Sequence, residues 1–114
     1  MNCFFYIAGN RRARLHRDRV VEACTEFLNT QALANRAWVV DQEIDGDVNV
    51  GLNLEGDAGQ TFERDVIRVL EFLRPLANEI DVSFLAGTDG EDRISIDPKA
   101  DDDLTRDAAF LSSL

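Results

Sequence analysis

The chain has 114 residues, with 12 Lys and Arg against 22 Asp and Glu, a net charge of −10. That length fits one domain, and 45 % hydrophobic residues supply a core and exclude wholesale disorder. Such acidity excludes a general nucleic-acid or anionic-membrane binder. The charge is unevenly placed. Residues 1–40 hold six arginines (11, 12, 14, 17, 19 and 36) against Asp18, Glu22 and Glu26, a net of +3. Residues 41–114 hold six basic and nineteen acidic residues, a net of −13.

In chain order, Cys3 to Ala8 reads as a first strand, rich in aromatic and β-branched residues. Gly9-Asn10 ends it and a basic stretch follows. A first helix is predicted from Leu15 to Leu28, with Val20, Cys24, Phe27 and Leu28 on its apolar face. Ala37 to Ile44 is a second strand. Asp45-Gly46 is a two-residue turn signal, and Asp47 to Glu55 is a third strand, with Val48, Val50, Leu52 and Leu54 on one side. The spacing of Phe62, Val66, Val69, Leu70 and Leu73 predicts a second helix from Thr61 to Leu76, with Pro75 ending or bending it. Ile80, Val82 and Phe84 alternate as a fourth strand. Gly87 to Gly90 is a turn, and Arg93 to Asp97 a fifth strand. Leu104, Ala108 and Leu111 recur at helical spacing in a last short helix.

The order β-α-β-β-α-β-β predicts an α+β fold, a two-layer ferredoxin-like (split β-α-β) sandwich with the fifth strand beside the fourth. Residues 1–98 form the expected domain, and residues 99–114 an acidic C-terminal segment. One conflict stands out. The first strand is apolar on both faces, yet two layers cover only one face of a sheet. The face bearing Phe4 and Tyr6 needs a cover: the C-terminal segment, a second copy in a homodimer, or another protein.

No apolar run reaches the roughly 20 residues that span a bilayer. Cys3 to Ala8 is too short for the apolar part of a leader peptide, so a cytoplasmic location is expected, with no membrane partner. Cys3 and Cys24 both lie in apolar patterns and read as small, reduced core residues, with a single disulfide between them the alternative that spacing does not decide.

Motifs that carry chemistry are scarce. Arg11, Arg12 and Arg14 precede the predicted helix, where they would hold a phosphate or carboxylate. The competing reading pairs them with the chain's own carboxylates. The stretch has neither the Gly-Lys-Ser/Thr end of a P-loop nor the three spaced glycines of a dinucleotide loop. A calcium loop begun at Asp45 or at Asp41 fails at position twelve, which is Gly56 or Leu52. Cys3, Cys24 and His16 lack ligand-pair spacing for zinc. Strand three has none of the stacking aromatics of an RNA-recognition motif. No cofactor, no nucleic-acid partner and no enzymatic activity is therefore expected.

The acidic groups remain. They gather at Asp41, Glu43, Asp45 and Asp47 around the hairpin, at Asp89, Glu91 and Asp92 in a turn, and at Asp101, Asp102 and Asp103 before the tail. Such a surface either keeps a small protein soluble or steers a basic partner. The expectation is a non-enzymatic module that binds a basic protein. Its most concrete version is an immunity- or antitoxin-type inhibitor of a basic, nuclease-like toxin domain. The alternative is a small-molecule or phosphate-binding regulatory domain that uses Arg11, Arg12 and Arg14.

Overall fold

A computed structural model describes residues 2–31, 33, 36–56, 60–88 and 93–98. The expectations at Asp89, Glu91, Asp92, Asp101, Asp102 and Asp103, and the C-terminal helix, lie outside the described residues. The described elements are β1 (Asn2–Ile7), α1 (Asn10–Thr30), β2 (Ala37–Ile44), β3 (Asp47–Glu55), α2 (Gln60–Ile80), β4 (Phe84–Thr88) and β5 (Arg93–Ile96). They make an α+β fold with one five-stranded antiparallel sheet in the order β2-β3-β1-β4-β5. The fifth strand lies beside the fourth, as expected. No described helix is long and apolar enough to cross a membrane.

Alternation sets the two faces of the sheet. Cys3, Phe5 and Ile7 of β1 are buried in one core with Val48, Val50, Leu52 and Leu54 of β3. Val20, Cys24, Phe27 and Leu28 of α1 enter the same core, as do Phe62, Val66, Val69, Leu70 and Leu73 of α2. Both helices thus cover one face, and the apolar stripes read from helical spacing are the ones buried. The Phe27 and Phe72 rings stack between the helices at 4.3 Å.

The β2-β3 hairpin has the predicted boundaries. Asp45 and Gly46 take φ of 52° and 86°, the two positive values a type I′ turn needs. Gly51 is a close approach: a Cβ there would stand 1.9 Å from the Phe5 carbonyl oxygen.

Three predicted boundaries are corrected. Helix α1 starts at Asn10, not Leu15. Gly9, at φ 91°, turns the chain, and its carbonyl accepts the Ala13 N–H at 3.0 Å. Arg11, Arg12 and Arg14 therefore lie in the helix, not in a loop before it. Pro75 sits inside α2, which continues to Ile80 because Leu76 and Ala77 are buried in the core. The helix closes with Asp81 at φ 53° and the Val82 N–H bonded to the Ala77 carbonyl at 3.1 Å. This is a Schellman closure with aspartate where glycine is usual. The fourth strand consequently runs from Phe84 to Thr88, not from Ile80 to Phe84, and Gly87-Thr88 is strand rather than turn.

Candidate functional site

A charged face that carries three of the predicted site residues, Asp41, Glu43 and Arg14, is built where α1 crosses β2. Asp41 and Glu43 stand opposite Val50 and Val48 in the register, so they project on the helix-covered side of the sheet. Arg14 and Arg17 lie one helical turn apart on α1. Two rungs of helix meet two rungs of strand: Arg14 pairs with Glu43, and Arg17 with Asp41. The Arg14 Nη2 also lies 3.4 Å from the Gly46 carbonyl. The guanidinium of Arg14, through its hydrogen bond and then its charge, holds the Glu43 carboxyl below its ordinary range.

Two further arginines of α1, Arg19 and Arg12, are also engaged. Arg19 grips Glu79 of α2 with two bonds, Nε to Oε2 at 2.8 Å and Nη2 to Oε1 at 3.1 Å. That contact lowers the Glu79 carboxyl and raises the Arg19 guanidinium. The Arg12 Nη1 donates to the Asp81 carbonyl at 3.0 Å. Arg11 makes no ion pair among the described residues. The competing reading, arginines paired with the chain's own acids, thus describes Arg14, Arg17 and Arg19.

The three arginines proposed for an anion do not converge. Arg11 and Arg12 line a hollow of about 380 Å³ with Leu15, His16, Ile80 and Asp81. Arg14 is turned to Glu43 instead. At the hairpin end, Asp45 and Asp47 are exposed and take part in none of the described ion pairs. Asn10 fastens this end to α1, its Oδ1 accepting the Val48 N–H at 2.9 Å.

The second face of the sheet carries Phe4 and Tyr6, whose rings stack at 5.2 Å. The Tyr6 hydroxyl donates to the Asn53 Oδ1 at 2.8 Å. A cavity of about 450 Å³ lies here, between Phe4, Tyr6, Leu85, Asp47, Asn49 and the start of α1.

The cysteines offer no nucleophile. Both are free and buried, and burial pushes each thiol up to about 12. No group of three His, Cys, Asp or Glu among the described residues is placed to hold a metal ion. Sequence reasoning missed three participants. Arg17 as the partner of Asp41 needs the crossing of helix over strand. Trp38 and Ile44, 42 % and 58 % exposed, are large apolar residues of β2 that stand out only once the sheet edge is known. Compared with protein-family models, curated proteins and solved structures, the chain matches none.

Proposed function

We propose that this chain is a non-enzymatic protein-binding module, on a ferredoxin-like split β-α-β sandwich extended by a fifth strand, that engages a basic protein in the cytoplasm. Its most concrete form is an immunity- or antitoxin-type inhibitor of a basic, nuclease-like toxin domain. The strand order, with β1 between β3 and β4, supports that architecture. One observation carries the binding reading. Three of the five arginines of α1, Arg14, Arg17 and Arg19, are matched internally, while Asp45 and Asp47 stay exposed outside the described ion pairs. Asp41 and Glu43 border this tip and would change partners only by releasing Arg17 and Arg14. The reading also counts Asp89, Glu91, Asp92 and Asp101 to Asp103 among the partner-binding carboxylates.

An uncompensated acidic tip speeds encounter with a basic partner, and salt screens the effect. The test is capture of a basic protein on the immobilised full chain, followed by association rates at rising salt with the isolated pair. The rate falls with salt, and it falls further in Asp45→Asn/Asp47→Asn. Failure to capture any basic protein at low salt would overturn the reading. The hollow beside Arg11 and Arg12 favours the alternative, a small-anion site. Thermal stabilisation by nucleotides or phosphorylated metabolites, lost in Arg11→Ala/Arg12→Ala, would support it.

A further inference from the structure

Among the described residues β2 has a strand neighbour on one side only, β3. Its backbone bonding has a readable parity. The Glu55 N–H donates to the Arg36 carbonyl at 2.7 Å, in line with the register that follows from Ala37 opposite Leu54 to Ile44 opposite Asp47. Hydrogen-bonded pairs alternate in an antiparallel ladder. Trp38, Val40, Gln42 and Ile44 therefore aim their N–H and C=O groups at β3. Val39, Asp41 and Glu43 aim theirs out of the sheet.

An outward edge of this length is usually guarded by charge. Here the guard is neutralised in place, since Asp41 and Glu43 are each held by an arginine of α1. The face away from the helices is apolar at both ends of the strand, with Trp38 and Ile44 exposed and Val40 buried between them. Trp38 and Ile44 are equally spaced about Asp41.

We propose that the β2 edge pairs with the β2 edge of a second copy of this chain, antiparallel about a two-fold axis at Asp41. That register is self-complementary, as a two-fold interface must be. Val39 exchanges backbone bonds with Glu43 of the second copy, and Asp41 with its own equivalent. Both pairings use only outward-facing groups. Trp38 falls opposite Ile44 of the second copy in a non-hydrogen-bonded pair, where side chains approach most closely. Shifting the register by two residues either way leaves Trp38 facing a polar residue or the turn. On the helix side, the Asp41–Arg17 pairs of the two copies stand next to each other and alternate in sign around the axis. The sheet becomes continuous across both chains.

The test uses the full chain, measured for mass in solution across concentration and salt. Trp38 is the one tryptophan, so its fluorescence reports on this edge alone. Two chains per particle are expected, with the Trp38 emission shifting to the blue as the dimer forms. Salt strengthens the association, because each copy carries −10; a basic partner would be weakened instead, so the two readings fail separately. Ile44→Glu weakens the dimer roughly tenfold or more, since the substitution acts twice across the axis. Asp41→Pro removes one outward N–H without touching the β3 ladder, and it yields a folded monomer by circular dichroism. A chain that stays monomeric at millimolar concentration overturns the proposal. A dimer insensitive to Ile44→Glu but lost in Phe4→Glu also overturns it and moves the interface to the second face of the sheet.

Discussion

The Arg36 Nε lies 3.2 Å from Oδ2 of Asp65, a carboxylate only 5 % exposed, and the Arg36 Nη2 reaches Oδ1 at 3.4 Å. These are charge contacts more than well-aligned hydrogen bonds. They link the segment before β2 to the buried side of α2, the one buried carboxylate among the described residues. Arg36→Ala leaves that carboxylate without its counter-charge. The expected loss is about 2 kcal/mol, below the roughly 3–5 of a fully buried pair because Arg36 is partly exposed. Urea titration of Arg36→Ala, Asp65→Asn and the double variant measures it. Equal losses for Arg36→Ala in both backgrounds would show that the contact carries no coupling.

Gly51 and Gly46 predict opposite outcomes for the same substitution. Gly51→Ala drives a methyl group into the Phe5 carbonyl at the end of the β1-β3 ladder, where Gly51 stands opposite Tyr6. The ladder must separate, at a cost of about 3 kcal/mol or more. Gly46→Ala meets nothing within 4 Å and faces only its φ of 86°, a cost of about 1 kcal/mol. Thermal midpoints of the two variants should differ widely, and similar midpoints would contradict the tight β1-β3 approach.

Asp81→Gly should stabilise the protein by about 0.5–1 kcal/mol, because glycine adopts the left-handed conformation at a helix end without a Cβ penalty. The bond from Arg12 uses the Asp81 carbonyl and survives the change. A denaturation midpoint that falls would mean that the Asp81 side chain contributes more than its backbone costs.

Acid should destabilise the fold in two distinguishable ways. Glu43, Glu79 and Asp97 all have folded carboxyl values below the ordinary range. A depressed folded value contributes stability that is present above the unfolded value and lost as pH falls through the folded one. Stability should therefore be flat from neutral pH to about 5 and decline below about 4. Glu43 and Glu79 depend on arginines and should respond to salt. Asp97 is lowered by hydroxyl bonds, from Ser95 at 2.6 Å and Ser83 at 2.7 Å, and should respond little. Urea midpoints of wild type, Glu43→Gln and Asp97→Asn at pH 7 and 3.5, in low and high salt, separate the contributions.

Cys3 and Cys24 should resist thiol reagents at pH 8 until the protein unfolds, since burial both shields them and disfavours the thiolate. Native-state labelling at the rate of a free thiol would place at least one outside the core.

The hairpin was legible residue by residue because its information is local: an Asp-Gly turn and an unbroken alternation from Val48 to Leu54. The start of α1 was not. Its first turn has no large apolar residue, only the small buried Ala13, and the signal is the backbone of Gly9. At Ile80, Val82 and Phe84 a period of two ran across the end of a helix and the turn beyond it. Pro75 reads locally as a helix end, yet burial of Leu76 and Ala77 carries the helix past it. Spacing showed that Asp41 and Glu43 share a face. Their pairing with Arg17 and Arg14 depends on the packing of α1 over β2, which no local pattern contains.

The placement of β1 at the centre of the sheet also sets a schedule for assembly. Phe5 pairs with Leu52 on one side and Ala86 on the other. The earliest strand in the chain must therefore wait for partners far along it, while β2 and β3 can close on each other at once. Loop closure over such separations slows folding. Changes that loosen the β2-β3 turn should act on the folding rate, and changes at the β1-β4 seam chiefly on the unfolding rate.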